Sequence, residues 1–192
     1  NSTIYRIYSM TKPIVAVAAI KAIEHGLLRL YDPICNYFDC FKNQMVISST
    51  GKLEHAKTLI NIEQLLTHKS GLSYGFEAGC PVGNLYARKK LLHKSDLDLR
   101  DFIKEVGNFP LAFHPGEAWR YSVSIDVVAG VLEVIYQKPL DKILQEIVFE
   151  QGFGQNPSEY VANWNKLVSE IASDEETLFY FSIDPDNVQW AS

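Results

Sequence analysis

The sequence predicts an α/β fold carried mostly by helices, with only a few strands, and three observations predict it. Residues 14–23 are apolar on nearly every side, as expected of a helix at the centre of a domain. Two later stretches, Val127 to Ile135 and Leu140 to Val148, place apolar residues at 3.6 spacing. Strand-like runs are few, at residues 3–8 and 178–183, with a brief extended piece from Leu27 before the Asp32-Pro33 turn.

Composition narrows the class. The 192 residues are 47% hydrophobic and 21% charged, an ordinary globular balance with enough apolar mass for a real core. The formal net charge is −5 with no basic run, so nucleic acid is not expected as a partner. The longest strictly apolar run, Ile14 to Ile20, is far too short to span a bilayer. The start, Asn1-Ser2-Thr3, has neither a basic region nor a cleavage site, so no signal peptide is expected, and both a cytoplasmic and a periplasmic home stay open. Three cysteines, Cys35, Cys40 and Cys80, are an odd count without metal spacing and read as reduced thiols. The five histidines form no H-x-x-x-H or H-x-H pair, so no metal is expected. No organic cofactor is expected either, and the oligomeric state stays open.

Taken in order, residues 3–8 form a short strand feeding a first helix from about residue 10 to His25, with Gly26 as its stop. Residues 42–58 are polar and turn-rich and read as loop. Asn61-Ile62-Glu63-Gln64 is a capping box opening a short helix that ends near Ser70-Gly71. Residues 73–85 are rich in glycine and aromatics and read as irregular, a candidate wall of a site. Asp98 starts a helix to about Val106. His114-Pro115-Gly116-Glu117 is a type II turn signal that delivers Trp119, Tyr121 and Ser122 to the helix beginning after it. A further helix from 156 and a strand at 178–183 close the chain. This divides the chain into a helical part, 1–150, and a remainder, 151–192.

Chemistry concentrates in Tyr8-Ser9-Met10-Thr11-Lys12-Pro13. Ser9 and Lys12 are three residues apart, about one helical turn, so the hydroxyl and the amine share a face. Serine is a weak nucleophile until a base takes its proton. Lysine serves as that base only if burial or a nearby cation lowers its pKa, and the apolar helix 14–23 is the expected source of such a dry site. Pro13 cannot donate to the Ser9 carbonyl, which predicts a tight or 3₁₀-like turn there. Tyr121 is a candidate proton shuttle. Its local pattern leaves open a plain core tyrosine with one hydrogen-bond partner.

Three segments together are similar to the serine beta-lactamase-like superfamily: class C beta-lactamases, beta-lactamase-like carboxylesterases and D-Ala-D-Ala peptidases. They are Tyr5-Arg6-Ile7-Tyr8-Ser9-Met10-Thr11-Lys12-Pro13, Ile62 to Leu72 with its L-L-T-H-x-S-G-L pattern, and Pro115-Gly116-Glu117-Ala118-Trp119-Arg120-Tyr121-Ser122. The resemblance implies a beta-lactamase/transpeptidase-like α/β fold. It implies that Ser9 is acylated, that Lys12 is the general base and that Tyr121 acts as acid and base in both half-reactions. It also implies that the Ser9 N–H forms half of an oxyanion hole, that Trp119 and Ser122 contact substrate, and that His68 is structural.

Two departures refine this. The class C motif Y-x-N has Val123 at its third position here, which points to the esterase-like branch. Only eight residues precede Ser9, and no K-T-G or H-x-G strand motif follows Glu150, so the chain is expected to be partial. The expected substrate is a small ester, with a beta-lactam or D-Ala-D-Ala peptide as the alternative. The alternative of another class, which the missing strand motif favours, is a catalytically silent, truncated scaffold that binds a partner.

Overall fold

The computed structural model describes residues 7–48, 51–76, 79–91 and 97–149. The helix and strand expected beyond residue 150, and all of the strand expected at 3–8 except Ile7 and Tyr8, lie outside the described residues. Those two take no strand conformation: Tyr8–Met10 is a 3₁₀ turn, as the proline predicts.

Helix α1, Thr11–Glu24, follows directly, and Val15 to Ile20 with Ala22 are buried. Four of those buried residues are alanines, so another helix can approach closely along the whole length. That helix is α5, Ser124–Tyr136, which packs on α1 and buries Ile125, Val127, Val128, Val131 and Leu132. Each fully buried valine or leucine contributes roughly 1.5–3 kcal/mol, so this pair is the structural spine. Around it lie α2, Ile62–Leu66, and α4, Leu99–Gly107, both packed on α5. Helix α6, Leu140–Leu144, continues into a wide π turn, Gln145–Phe149, and packs against both spine helices. Gly130 is where α4 comes nearest α5: a Cβ there would lie 2.0 Å from Ile103 Cδ1.

The capping box forms as its residues predict. The Asn61 side chain accepts from the Gln64 N–H at 2.8 Å, and the Gln64 side chain accepts from the Asn61 N–H at 3.1 Å. Gly26 takes φ 73, Gly71 φ 84 and Gly116 φ 89, the left-handed values their turns require.

Two segments read as irregular are ordered. Residues 42–58 contain an antiparallel hairpin, β1 Met45–Ile47 and β2 Leu53–His55, with Val46 opposite Glu54. Residues 81–88 form helix α3, Pro81–Arg88, capped by the Cys80 thiol, which accepts from the Gly83 N–H. The hairpin matters for the site. The Leu111 N–H donates to the Met45 carbonyl at 2.7 Å, and the Ile47 N–H to the Leu111 carbonyl at 2.9 Å. His114 Nε2 pairs with Glu54 at 2.8 Å, and Lys57 with Glu117 at 2.6 Å. The turn 114–117 is thereby bolted to the hairpin, which fixes where the chain enters residues 118–123.

A second set of bonds fixes the other side of that entry. Residues 68–73 run beside 112–123: Ala112 N–H to the Gly71 carbonyl at 2.7 Å, Gly116 N–H to Lys69 at 2.8 Å, and Arg120 N–H to His68 at 3.0 Å. The L-L-T-H-x-S-G-L segment and the P-G-x-x-W-x-Y-S segment are therefore one structural unit. Among the described residues no helix is long and apolar enough to cross a membrane.

Candidate active site

The 3₁₀ turn presents Ser9 at the entrance of the buried helix. Tyr8 just before it takes φ 47, a left-handed value uncommon for tyrosine. One turn later, Lys12 Nζ donates to Ser9 Oγ at 3.2 Å. From the far turn, the Tyr121 O–H donates to the same oxygen at 2.7 Å. Two groups, one of them 112 residues away, converge on one atom.

Lys12 Nζ also lies over two aromatic rings, 4.8 Å from the centroid of Tyr121 and 5.4 Å from that of Tyr74. The environment expected from the sequence, a dry pocket that depresses the lysine pKa, is only half present. Partial burial pulls Lys12 down, but the hydroxyls and partial charges of Tyr121 and Tyr74 outweigh it, and the net direction is up from the ordinary value. Two phenols favour the ammonium more than partial desolvation disfavours it.

Tyr74 is the residue that motif reading passes over. Its ring is buried, tilted against Tyr121 at 5.3 Å and stacked on Phe76 at 4.7 Å. Burial and the charge of Asp126 push its phenol up, and Lys12 pulls it back. The only hint in the sequence is an aromatic pair inside a glycine-containing stretch after Gly71. Asp126, in the first turn of α5, is pushed up by burial against the opposing pull of Lys12.

Trp119 is half-buried, with its ring edge-on to His68 at 6.2 Å. Ser122, expected to contact substrate, has no surface of its own. It is fully buried, and its hydroxyl pairs with His68 Nδ1 at 3.2 Å and with Ser124 Oγ at 2.6 Å. Ser122 lies two residues before α5, and the imidazole of His68 lies against both it and the Tyr121 ring.

His68 itself is buried, at φ 57. Burial, and then the Lys12 charge, push its imidazole down to about 3 from an ordinary 6.5. The sign follows. Between those two values the unfolded chain binds a proton that the folded chain does not, so stability is lost as pH falls from 6.5 toward 3. The slope for one proton is about 1.4 kcal/mol per pH unit. Urea unfolding at pH 6.5 and pH 4.5 should show His68→Asn losing about 2 kcal/mol less than the parent across that interval. Equal losses would mean the imidazole is charged in both states.

The Beta-lactamase family model matches residues 1–155. Esterase EstB of Burkholderia gladioli is 33% identical over 153 residues, covering 77% of this chain and 36% of EstB. The solved structure of EstCE1, described as a hydrolase with promiscuous acyltransferase activity, superimposes with a TM-score of 0.61 at 29% identity, over 74% of this chain and 36% of that one. A D-stereospecific amidohydrolase from Streptomyces shares the fold at a TM-score of 0.57 and 21% identity, over 77% of this chain and 42% of that one. The chain thus spans about a third of the length of the curated relatives it matches. The expected beta-lactamase/transpeptidase fold class holds, with the described part mostly helical.

Proposed function

The chain belongs to the Beta-lactamase family, and from that premise we propose that it carries the nucleophile-bearing part of a serine hydrolase acting on small carboxylic esters through a Ser9 acyl-enzyme. The observation that carries this reading is the convergence of the Lys12 amine and the Tyr121 hydroxyl on the one oxygen of Ser9. A silent scaffold has no use for that arrangement. The arrangement keeps an exposed serine within hydrogen-bond reach of two proton carriers, one from its own turn and one from a segment 112 residues away.

In the proposed reaction Ser9 Oγ attacks the ester carbonyl carbon and its proton passes to the Lys12–Tyr121 pair. The tetrahedral adduct collapses when the alcohol leaves, taking a proton from Tyr121. Water then attacks the acyl ester of Ser9. The same pair accepts the water's proton and returns one to Ser9 as the acid departs. An alcohol in place of that water gives acyl transfer, a second outcome favoured by the resemblance to EstCE1. Trp119 and the Tyr74–Phe76 stack supply apolar surface beside the pair.

Lys12 accepts the Ser9 proton only after losing one of its own. Because its pKa is raised, that form becomes populated above the ordinary lysine value of 10.5 in the free protein. Reactivity of Ser9 should therefore climb with pH on the alkaline side. Tyr74→Phe removes one bond that holds the ammonium, so the climb should move to lower pH. A profile left in place, or moved upward, would show that Tyr74 does not set the Lys12 proton.

The proposal itself is tested with a chromogenic ester and a fluorophosphonate. A burst of released alcohol matching the protein concentration, with a phosphonyl adduct mapped to Ser9, is expected. Steady cleavage with no burst, and no adduct on Ser9, would return the chain to the scaffold reading.

A further inference from the structure

We propose that His68 is the positioning residue for Tyr121, holding the four residues 119–122 so that the phenol reaches Ser9. This rests on the reading of Ser9 and Tyr121 given above. His68 touches all four residues, three through its ring and one through its carbonyl. Its ring meets Trp119 edge-on at 6.2 Å, its carbonyl accepts from the Arg120 N–H at 3.0 Å, its ring lies against that of Tyr121 at 5.0 Å, and its Nδ1 faces Ser122 Oγ at 3.2 Å. A left-handed backbone, φ 57, accompanies this arrangement of ring and carbonyl along one strip. Histidine, asparagine and aspartate are enriched among the residues that adopt that conformation without glycine.

The imidazole is itself held by a buried chain of hydroxyls. Ser122 Oγ pairs with Ser124 Oγ at 2.6 Å, and Ser124 Oγ with Ser70 Oγ at 2.7 Å. The Leu72 N–H donates to Ser70 Oγ at 3.2 Å, and the Ser124 N–H to Ser122 Oγ at 3.3 Å. One direction uses every hydroxyl proton: Ser70 donates to Ser124, Ser124 to Ser122, and Ser122 to Nδ1. That direction makes Nδ1 an acceptor and places the ring proton on Nε2, the neutral tautomer. All three serines and His68 are buried, so leaving any member of the chain unpaired would be costly. The histidine of one motif and the serine after the tyrosine of the other are therefore one device, and the tyrosine stands on it.

The test compares phosphonate labelling rates of Ser9 for His68→Ala and His68→Asn, each with Tyr121 present and with Tyr121→Phe. Misplacing a reacting group by about 1 Å costs roughly 10²-fold, so His68→Ala should slow labelling by about that factor. Asparagine tolerates the left-handed backbone and offers an acceptor to Ser122, so it should recover most of the loss. In the Tyr121→Phe background His68→Ala should cost little, because the group it positions is already gone. A loss of equal size in both backgrounds would make His68 a fold-keeper and overturn the proposal. If His68→Ala does not fold, Ser122→Ala replaces it, removing only the hydroxyl on Nδ1. The ¹³Cζ resonance of Tyr121 gives a second readout, independent of reactivity. It should shift in the alanine variant and return in the asparagine one, and a resonance that stays put overturns the proposal. A parent that takes no phosphonate would sink the hydrolase reading, while the resonance would still decide the role of His68.

Discussion

Ser9→Ala is expected to abolish phosphonate incorporation outright, because it removes the oxygen on which Lys12 and Tyr121 converge. Lys12→Ala and Tyr121→Phe should each lower the labelling rate by roughly 10²–10⁴-fold, the usual worth of a positioned proton carrier. The double variant should lose far less than the product of the two, since both act on one proton and fail as a unit. Lys12→Arg is informative beside them. Its guanidinium keeps the charge but does not give up a proton near neutral pH. If charge alone matters, arginine works; if proton transfer matters, it fails like alanine. Labelling rates with peptide mapping decide among these, and a Ser9→Ala protein that still takes the probe at the parent's rate would remove Ser9 from the chemistry.

The largest stability effect is expected at Gly71, which separates the two halves of the ladder beneath the site. A Cβ there would sit 2.4 Å from the Phe113 carbonyl oxygen and 3.0 Å from Leu111 Cβ, at a backbone φ of 84. The left-handed conformation alone costs an alanine about 1–2 kcal/mol. The clash is with backbone, which no rotamer relieves, and moving it breaks the bond from the Ala112 N–H to the Gly71 carbonyl. Gly71→Ala should therefore cost about 3 kcal/mol or more. Gly26→Ala is the control: φ is 73, but nothing lies within 4 Å of its Cβ, so only the conformational share remains. Urea unfolding of the two variants measures the difference, and equal losses would show that Phe113 yields easily.

Much of this was legible because it is local. The all-round apolar character of α1, the reciprocal bonds of Asn61 and Gln64, and the Pro115-Gly116 turn depend on residues within a few positions of one another. What stayed hidden depends on partners far along the chain. The hairpin has three-residue strands, too short for an alternating pattern, and Val46 is its only buried strand residue. Helix α3 buries only Val82, Gly83 and Tyr86, too sparse a stripe for a periodicity argument. The raised pKa of Lys12 comes partly from Tyr74, more than sixty residues away. Ser122 follows Tyr121 in sequence, yet its hydroxyl is taken by His68, a partner 54 residues away. Spacing named Ser9 and Lys12 as candidates, and the rigid turn before it named Tyr121. Neither had a means of saying which partners each side chain would meet.

The hydrogen bond between Tyr121 and Ser9 closes a loop of 112 residues. Contacts of such high sequence separation are entropically late, because most of the chain must be ordered before they are rewarded. The spine helices, the hairpin and the 68–73 ladder all have to dock first. Chemical competence is thus a property of the finished assembly, and the onset of Ser9 reactivity during refolding would time its last step.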